Sequence, residues 1–255
     1  MALTLVTVPC LQDNYAYILR DTATGTTAVV DVPDAAPIIE ALSLRGWPLN
    51  DIFLTHHHWD HIDGVAALVA ATGARVIGAG ADAHRLPPLD RTVSDGDSIS
   101  VGSETGTVID VPGHTVGHVA FHFPVAALVF TADSLMAMGC GRLFEGTPAQ
   151  MYASLQKLTK LPPETLICSG HEYTASNMRF ALALEPENPG LILRSDRINA
   201  ARIQGLATVP SRLGDELATN PFLRAHTAQL KAVLGTPNAT AAEAFADLRA
   251  RKDSF

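Results

Sequence analysis

Four of the chain's ten histidines fall within six residues, in Thr55-His56-His57-His58-Trp59-Asp60-His61, directly after the β-type run Ile52–Thr55. Polar rings crowded against a buried strand cost free energy unless each finds a partner, so such a tract has to be built around something that gathers imidazoles. Side chains alternate faces in extended backbone. The rings of His56 and His58 therefore leave one side together and can share a metal ion, while His57 points the other way as a hydrogen-bonded support. Asp60 and His61 follow where the chain turns and offer an oxygen and a nitrogen to a neighbouring position, which makes two adjacent ions possible.

The same arrangement recurs along the chain. Thr107–Val111 leads into Pro112-Gly113-His114, Ala127–Thr131 into Asp133, and Leu166–Cys168 into Ser169-Gly170-His171. Each apolar run ends just before a metal-capable side chain, which predicts strand ends converging on one rim, where a rigid sheet positions ligands carried by loops. A glycine directly before His114 and before His171 lets the backbone turn sharply there. One isolated histidine would be an ordinary packing or surface residue. Five histidines and two aspartates placed this way are not. A closed structural zinc site favours cysteine-rich ligand sets, and Cys10, Cys140 and Cys168 offer no pair at ligand spacing.

Around these positions the first two-thirds of the chain alternates short β-type runs with a few helices. Further strands are expected at Leu3–Val8, Tyr15–Leu19, Thr27–Val32, Arg75–Ile77 and Val119–Phe123. Helices are expected at Ala35–Arg45, capped by Asp34 and stopped by Gly46, at Val65–Ala71, and from the capping box Thr147-Pro148-Ala149-Gln150 to about Lys160. After His171 β-type runs disappear and helical segments follow over Thr174–Leu184, Pro189–Ile203, Arg212–Ala218 and Thr240–Ala250. The pattern predicts an α/β catalytic domain over 1–172 and an α-helical domain over 173–255.

A length of 255 residues suits that division. The formal charge of −8, with no basic run longer than Arg251-Lys252, excludes a nucleic-acid-coating role. The Met1–Leu11 segment lacks the basic start and cleavage pattern of a signal peptide, and no stretch is apolar enough to predict a membrane span. Three widely spaced cysteines form no disulfide framework and fit a reducing compartment. The expectation is a cytoplasmic monomer that takes a small-molecule substrate, with no nucleic-acid or membrane partner.

The tract His56-x-His58-x-Asp60-His61 with His114, Asp133 and His171 resembles the metallo-β-lactamase superfamily, whose fold is an αββα sandwich with a dinuclear metal site at its rim. Narrower motifs resemble the glyoxalase II, or hydroxyacylglutathione hydrolase, family. They are Leu11-Gln12-Asp13-Asn14-Tyr15-Ala16-Tyr17, the segment from Gly139-Cys140-Gly141-Arg142 to Thr147, Gly170-His171-Glu172-Tyr173-Thr174, Asn220-Pro221-Phe222-Leu223-Arg224 and Arg249-x-x-Lys252-Asp253-x-Phe255. This resemblance spans the chain and implies an α/β fold of that sandwich type with a C-terminal α-helical domain.

It further implies that His56, His58 and His114 hold a first metal, Asp60, His61 and His171 a second, and that Asp133 bridges them. Two divalent ions are expected, zinc first, with iron and manganese also used in the family. A hydroxide bridging the ions would attack the thioester of S-(R)-lactoylglutathione, oriented by Asp60 and Asp133, to give D-lactate and glutathione, the second step of methylglyoxal detoxification. Arg249 and Lys252 would clamp the glycine carboxylate, with Arg142 assisting and the Tyr173 phenol donating a hydrogen bond. Phe144 stands where many members carry Tyr, which removes one hydroxyl contact. Ala132 replaces the usual glycine before the bridging Asp, a change tolerable if the backbone there is not left-handed.

Other readings predict different observables. A glutathione persulfide dioxygenase of this fold would use one iron on two His and one Asp and usually lacks the helical C-terminal domain. A different thioesterase would share the metal site. A nuclease would need a basic groove. A non-enzymatic partner-binding protein with structural metal would show metal-dependent melting without turnover.

Overall fold

The computed structural model of the protein describes residues 3–255, so the first two positions of the Met1–Leu11 segment lie outside it. The chain forms two compact units, one from the residues up to Asp110 with Gly117–Ala132, the other from Val111–Val116 with Asp133–Phe255.

The first unit contains β1 (Leu3–Cys10), β2 (Asn14–Asp21), β3 (Thr27–Val30), α1 (Ala35–Ser43), β4 (Asp51–Leu54), α2 (Trp59–Ile62), α3 (Val65–Thr72), β5 (Arg75–Ala79), β6 (Arg91–Val93), β7 (Ser98–Val101), β8 (Glu104–Asp110), β9 (Val119–Phe123) and β10 (Leu128–Ala132). Strands β1 to β6 lie in sequence order in one sheet. The β1–β2 and β2–β3 pairs are antiparallel, whereas β3 to β6 run parallel. β3 and β4 are buried along their whole length, as parallel strands covered on both faces must be. One cover is helical, with Ile38, Leu42 and Leu68 from α1 and α3 packed into a cluster with Val29, Ile52, Leu54 and Val76. On the other face rings meet strands of the second sheet, with Phe53 and Phe121 at 5.3 Å and Tyr17 and Phe130 at 5.6 Å between centroids. In that sheet β7 to β10 are antiparallel neighbours.

Local chemistry accounts for the helix ends. Asp34 Oδ1 accepts the Ala36 amide at 3.0 Å to start α1, and Gly46 follows its end at φ +63°. The single-turn α2, which carries Asp60 and His61, was not expected, because four residues are too few for helical periodicity to show.

The second unit contains β11 (Leu135–Met136), β12 (Gly139–Cys140), α4 (Pro148–Leu158), β13 (Leu166–Ser169), α5 (Thr174–Leu184), α6 (Pro189–Ile203), β14 (Ser211–Arg212), α7 (Leu213–Thr219), α8 (Ala228–Leu234) and α9 (Ala241–Asp253). Both expected capping boxes form, Thr147 with Gln150 and Thr240 with Glu243. The core stacks Phe222 on Phe180 at 6.1 Å and sets it edge-on to Phe245 at 5.7 Å, and Arg194–Glu216 and Arg224–Glu185 pair in the interior.

Two expectations are corrected in this unit. β structure does not stop at His171, since β14 pairs antiparallel with β13, two residues that no alternation pattern could reveal. Helix α8 was missed although Thr227 caps it and Gly235 ends it at φ +76°. Among the described residues no helix is long and apolar enough to cross a membrane.

Candidate metal centre

The histidine tract leaves the end of β4 and is tied at two points: the Val119 amide at the start of β9 donates to Thr55 O, and the Val32 amide just beyond β3 donates to His61 O. This folds the rings onto one another, with His56 at 4.8 Å from His58 and 4.3 Å from His61 between centroids. Asp60 joins them, its Oδ2 lying 4.0 Å from His61 Nε2. His57 turns away to Asp82, Nδ1 to Oδ2 at 2.9 Å, the support contact expected for it.

Three supporting residues of this unit, Asn14 among them although its motif was noted, had no role assigned from the sequence. Asn14, 4% exposed, donates its side-chain amide to Asp60 O at 2.9 Å and to Asp60 Oδ2 at 3.2 Å. His118 stacks on His56 at 4.6 Å. Asp31 is the anchor: Oδ1 accepts the Thr55 amide at 2.9 Å, and Oδ2 accepts both the Thr55 hydroxyl at 2.8 Å and His61 Nδ1 at 2.9 Å. Because the Thr55 proton goes to Asp31, Thr55 Oγ1 must accept from His56 Nδ1, 3.0 Å away. Both His56 and His61 are thereby fixed as Nδ1–H tautomers whose Nε2 lone pairs remain for a cation, the outer-shell arrangement metal-binding imidazoles require.

In the second unit His114, Asp133 and His171 converge. His114 Nδ1 donates to Arg142 O at 2.8 Å, so its Nε2 also presents a lone pair. That Nε2 stands 3.4 Å from Asp133 Oδ2, and the same oxygen stands 3.3 Å from His171 Nε2. An acceptor carboxylate facing an imidazole lone pair needs a positive charge between them, so this nitrogen and oxygen set fits a divalent cation. Gly113 shapes the approach: at φ +152° its added Cβ would lie 2.7 Å from Met151 Cβ.

Ala132, directly before Asp133, has φ +39°, so the condition for tolerating its methyl group fails. The left-handed backbone costs a non-glycine residue about 1–2 kcal/mol. Glycine would relieve that, but at an unfolded-state entropy cost of about 0.4–1 kcal/mol and with loss of a buried methyl worth about 0.8 kcal/mol. The terms nearly cancel, which is why alanine can stand here. Ala132→Gly is expected to leave the thermal midpoint within about 3 °C, whereas β-branched Ala132→Val is expected to cost at least about 2 kcal/mol. Equal melting of the valine variant and the parent would refute the strain.

The four residues implicated in substrate binding also lie in the second unit, in different settings. Tyr173 is 39% exposed and stacks on His171 at 4.6 Å with rings 5° from parallel. Arg142 is exposed, its Nε 3.9 Å from Asp253. Lys252 Nζ reaches Ser176 Oγ at 3.3 Å and lies over the Phe180 and Phe255 rings. Arg249 is buried, donating from Nη1 to Cys140 O at 2.9 Å and from Nη2 and Nε to Asp253 at 2.8 and 3.1 Å. Phe144 packs its ring edge-on to His114 at 5.2 Å and is exposed.

All three cysteines are free and buried. Burial pushes the Cys10 and Cys140 thiols up to about 11 and raises Cys168 well above the usual range, so none is a ready nucleophile or ligand.

Residues 12–171 match the metallo-β-lactamase superfamily and residues 172–255 match the hydroxyacylglutathione hydrolase C-terminus. A hydroxyacylglutathione hydrolase of Jannaschia sp. is 66% identical over 98% of both chains. The chain belongs to the hydroxyacylglutathione hydrolase family. A second hydroxyacylglutathione hydrolase, from Cereibacter sphaeroides, is 65% identical over the full length of both chains. Among solved structures, a B3 metallo-β-lactamase superposes with TM-score 0.68 at 22% identity, over 86% of this chain and 99% of its own. A protein solved in a di-iron-bound form superposes with TM-score 0.60 at 28% identity, over 86% of this chain and all of its own. The hydroxyacylglutathione hydrolase family's fold is therefore the one present here, a metallo-β-lactamase fold with a helical C-terminal region.

Proposed function

We infer that the chain hydrolyses the thioester of 2-hydroxyacylglutathiones, with S-(R)-lactoylglutathione giving D-lactate and glutathione in the second step of methylglyoxal detoxification. The observation that carries this is a carboxylate oxygen of Asp133 set between His114 and His171, in a unit that also gathers Arg142, Arg249 and Lys252 around Asp253. We assign His56, His58 and His114 to a first metal, Asp60, His61 and His171 to a second, and Asp133 to both. Fixed Nδ1–H tautomers at His56, His61 and His114 support the assignment, since each leaves Nε2 for a cation. Zinc, iron and manganese all suit such nitrogen and oxygen donors.

Divalent ions held by these residues would supply the chemistry of a water acidified toward pKa ~7 and of a polarised thioester carbonyl. Asp60 and Asp133 orient the attacking water, with Asn14 steadying Asp60. A glutathione thiolate, with a conjugate pKa of about 8.5, leaves without a dedicated general acid. Lys252 and Arg142 draw in the glycine carboxylate over the Arg249 base, and the Tyr173 phenol donates to the peptide. On this reading residues 1–172 form the catalytic domain and 173–255 the substrate-binding helical domain. The persulfide dioxygenase alternative is not favoured, because the family match over 172–255 covers the helical region that such enzymes usually lack. We place the protein in the cytoplasm, as a monomer, where its buried thiols stay reduced.

Loss of thioester absorbance with S-lactoylglutathione, before and after chelation, tests the reading. Turnover should fall to background on chelation and return with added zinc, iron or manganese. Metal-replete protein that leaves the thioester intact would overturn it.

A further inference from the structure

In a chain of formal charge −8, four cations meet at one place in the second unit. Lys252 is pushed below the usual lysine range, first by burial and then by the positive charge of Arg249, Arg179 and Arg142, with Asp253 opposing. Asp253 is the carboxylate among them, held by Arg249 and approached by Arg142. Arg249 is buried and spends its donors on Asp253 and Cys140 O, so it serves as the base of the cluster. Arg179 is exposed and belongs to no ligand set assigned above. It sits on α5 three residues beyond Ser176, whose hydroxyl meets Lys252 Nζ at 3.3 Å, and six beyond Tyr173, which stacks on His171. Ser176 and Arg179 are thus i, i+3 neighbours on α5, in the turns that follow the N-cap Tyr173.

We propose that Arg179 is a specificity-determining residue that binds, together with Lys252, the glycine carboxylate of the glutathione thioester. The inference rests on the function proposed above. Along a helix, six residues advance about 9 Å, and the two residues from cysteine to the glycine carboxylate span about 7 Å when extended. A thioester held beside His171 and Tyr173 therefore reaches with its glycine carboxylate to the second turn of α5, where Arg179 follows Ser176 and its partner Lys252. Two adjacent cations share one carboxylate here while Asp253 offsets part of their mutual repulsion.

Calorimetric titration of the metal-loaded protein with S-methylglutathione, a thioether that is not cleaved, tests this directly. Arg179→Gln is expected to weaken binding about fivefold, as loss of a partly solvated charge contact does, and to raise KM for S-lactoylglutathione by a similar factor. With S-methyl-γ-glutamylcysteine, which lacks the glycine carboxylate, parent and variant are expected to bind alike. Arg179→Lys should recover part of the loss. Unchanged S-methylglutathione binding in Arg179→Gln, or an equal loss with the truncated ligand, overturns the assignment. If the parent turns over S-lactoylglutathione but the variant binds normally, only the Arg179 role falls. If the parent neither binds S-methylglutathione nor cleaves the thioester, the proposed function falls with it.

Discussion

Asp133→Asn is expected to lower thioester turnover by roughly 10²–10³-fold and to reduce the bound metal from about two ions per chain to about one. The substitution keeps the shape of a side chain that is only 6% exposed, so packing is retained and the loss reports on charge. In the native protein Asp133 Oδ2 faces His114 Nε2 and His171 Nε2 at 3.4 and 3.3 Å. Since His114 Nδ1 donates to Arg142 O, the neutral ring carries its lone pair on Nε2, and the carboxylate would supply the negative charge needed to hold a cation there. An amide supplies no charge, and turning its NH2 toward His114 would cap the lone pair outright. Metal per chain, measured by mass spectrometry after gel filtration, and the rate of loss of thioester absorbance check the two halves separately. Full metal content together with full turnover would show that Asp133 does not bridge.

The metal-capable positions were legible because each follows a β-type run, a pattern that burial of β4, β10 and β13 imposes on the sequence itself and that β8, buried at alternate residues, shows more weakly before His114. Three capped helix starts were legible from local chemistry, since Asp34, Thr147 and Thr240 each bond a backbone amide two or three residues on, whereas the seven-residue α8 escaped despite its Thr227 cap. What escaped was either too short to show a period, as with α2 and β14, or held by distant partners. Asp31 lies 24 residues from Thr55 and 30 from His61, and only the parallel pairing of β3 with β4 brings them together. One signal was present, since Asp31 interrupts the run Ala28-Val29-Val30-Asp31-Val32, where a buried acid demands a partner. Arg249 shows the opposite difficulty. Its motif marks it for the substrate, but the sequence could not show that its guanidinium is buried against Cys140 O and Asp253.

Asp31→Asn is expected to weaken both metal sites together, by about 10–100-fold each, although Asp31 is not among the assigned ligands. The direction follows from proton accounting. Oδ1 accepts the Thr55 backbone amide, so the oxygen of the new side chain must stay there and its NH2 must take the Oδ2 position. A donor then faces His61 Nδ1–H, and the ring can keep a hydrogen bond only by moving its proton to Nε2, the atom assigned to the second metal. The same NH2 faces the Thr55 hydroxyl, which must turn and donate to His56 Nδ1, placing the His56 proton on Nε2 at the first metal. One changed atom thus removes a lone pair from each site. Thr55→Val breaks only the branch to His56, so it should weaken the first metal while His61 keeps its bond to Asp31, and Thr55→Ser should behave like the parent. Stepwise calorimetric titration of metal-free protein distinguishes these outcomes: loss at both steps for Asp31→Asn, at one step for Thr55→Val and at neither for Thr55→Ser. Equal loss in Thr55→Val and Asp31→Asn would mean that the carboxylate acts on both histidines only through general stability, and the hydrogen-bonded relay would have to be abandoned.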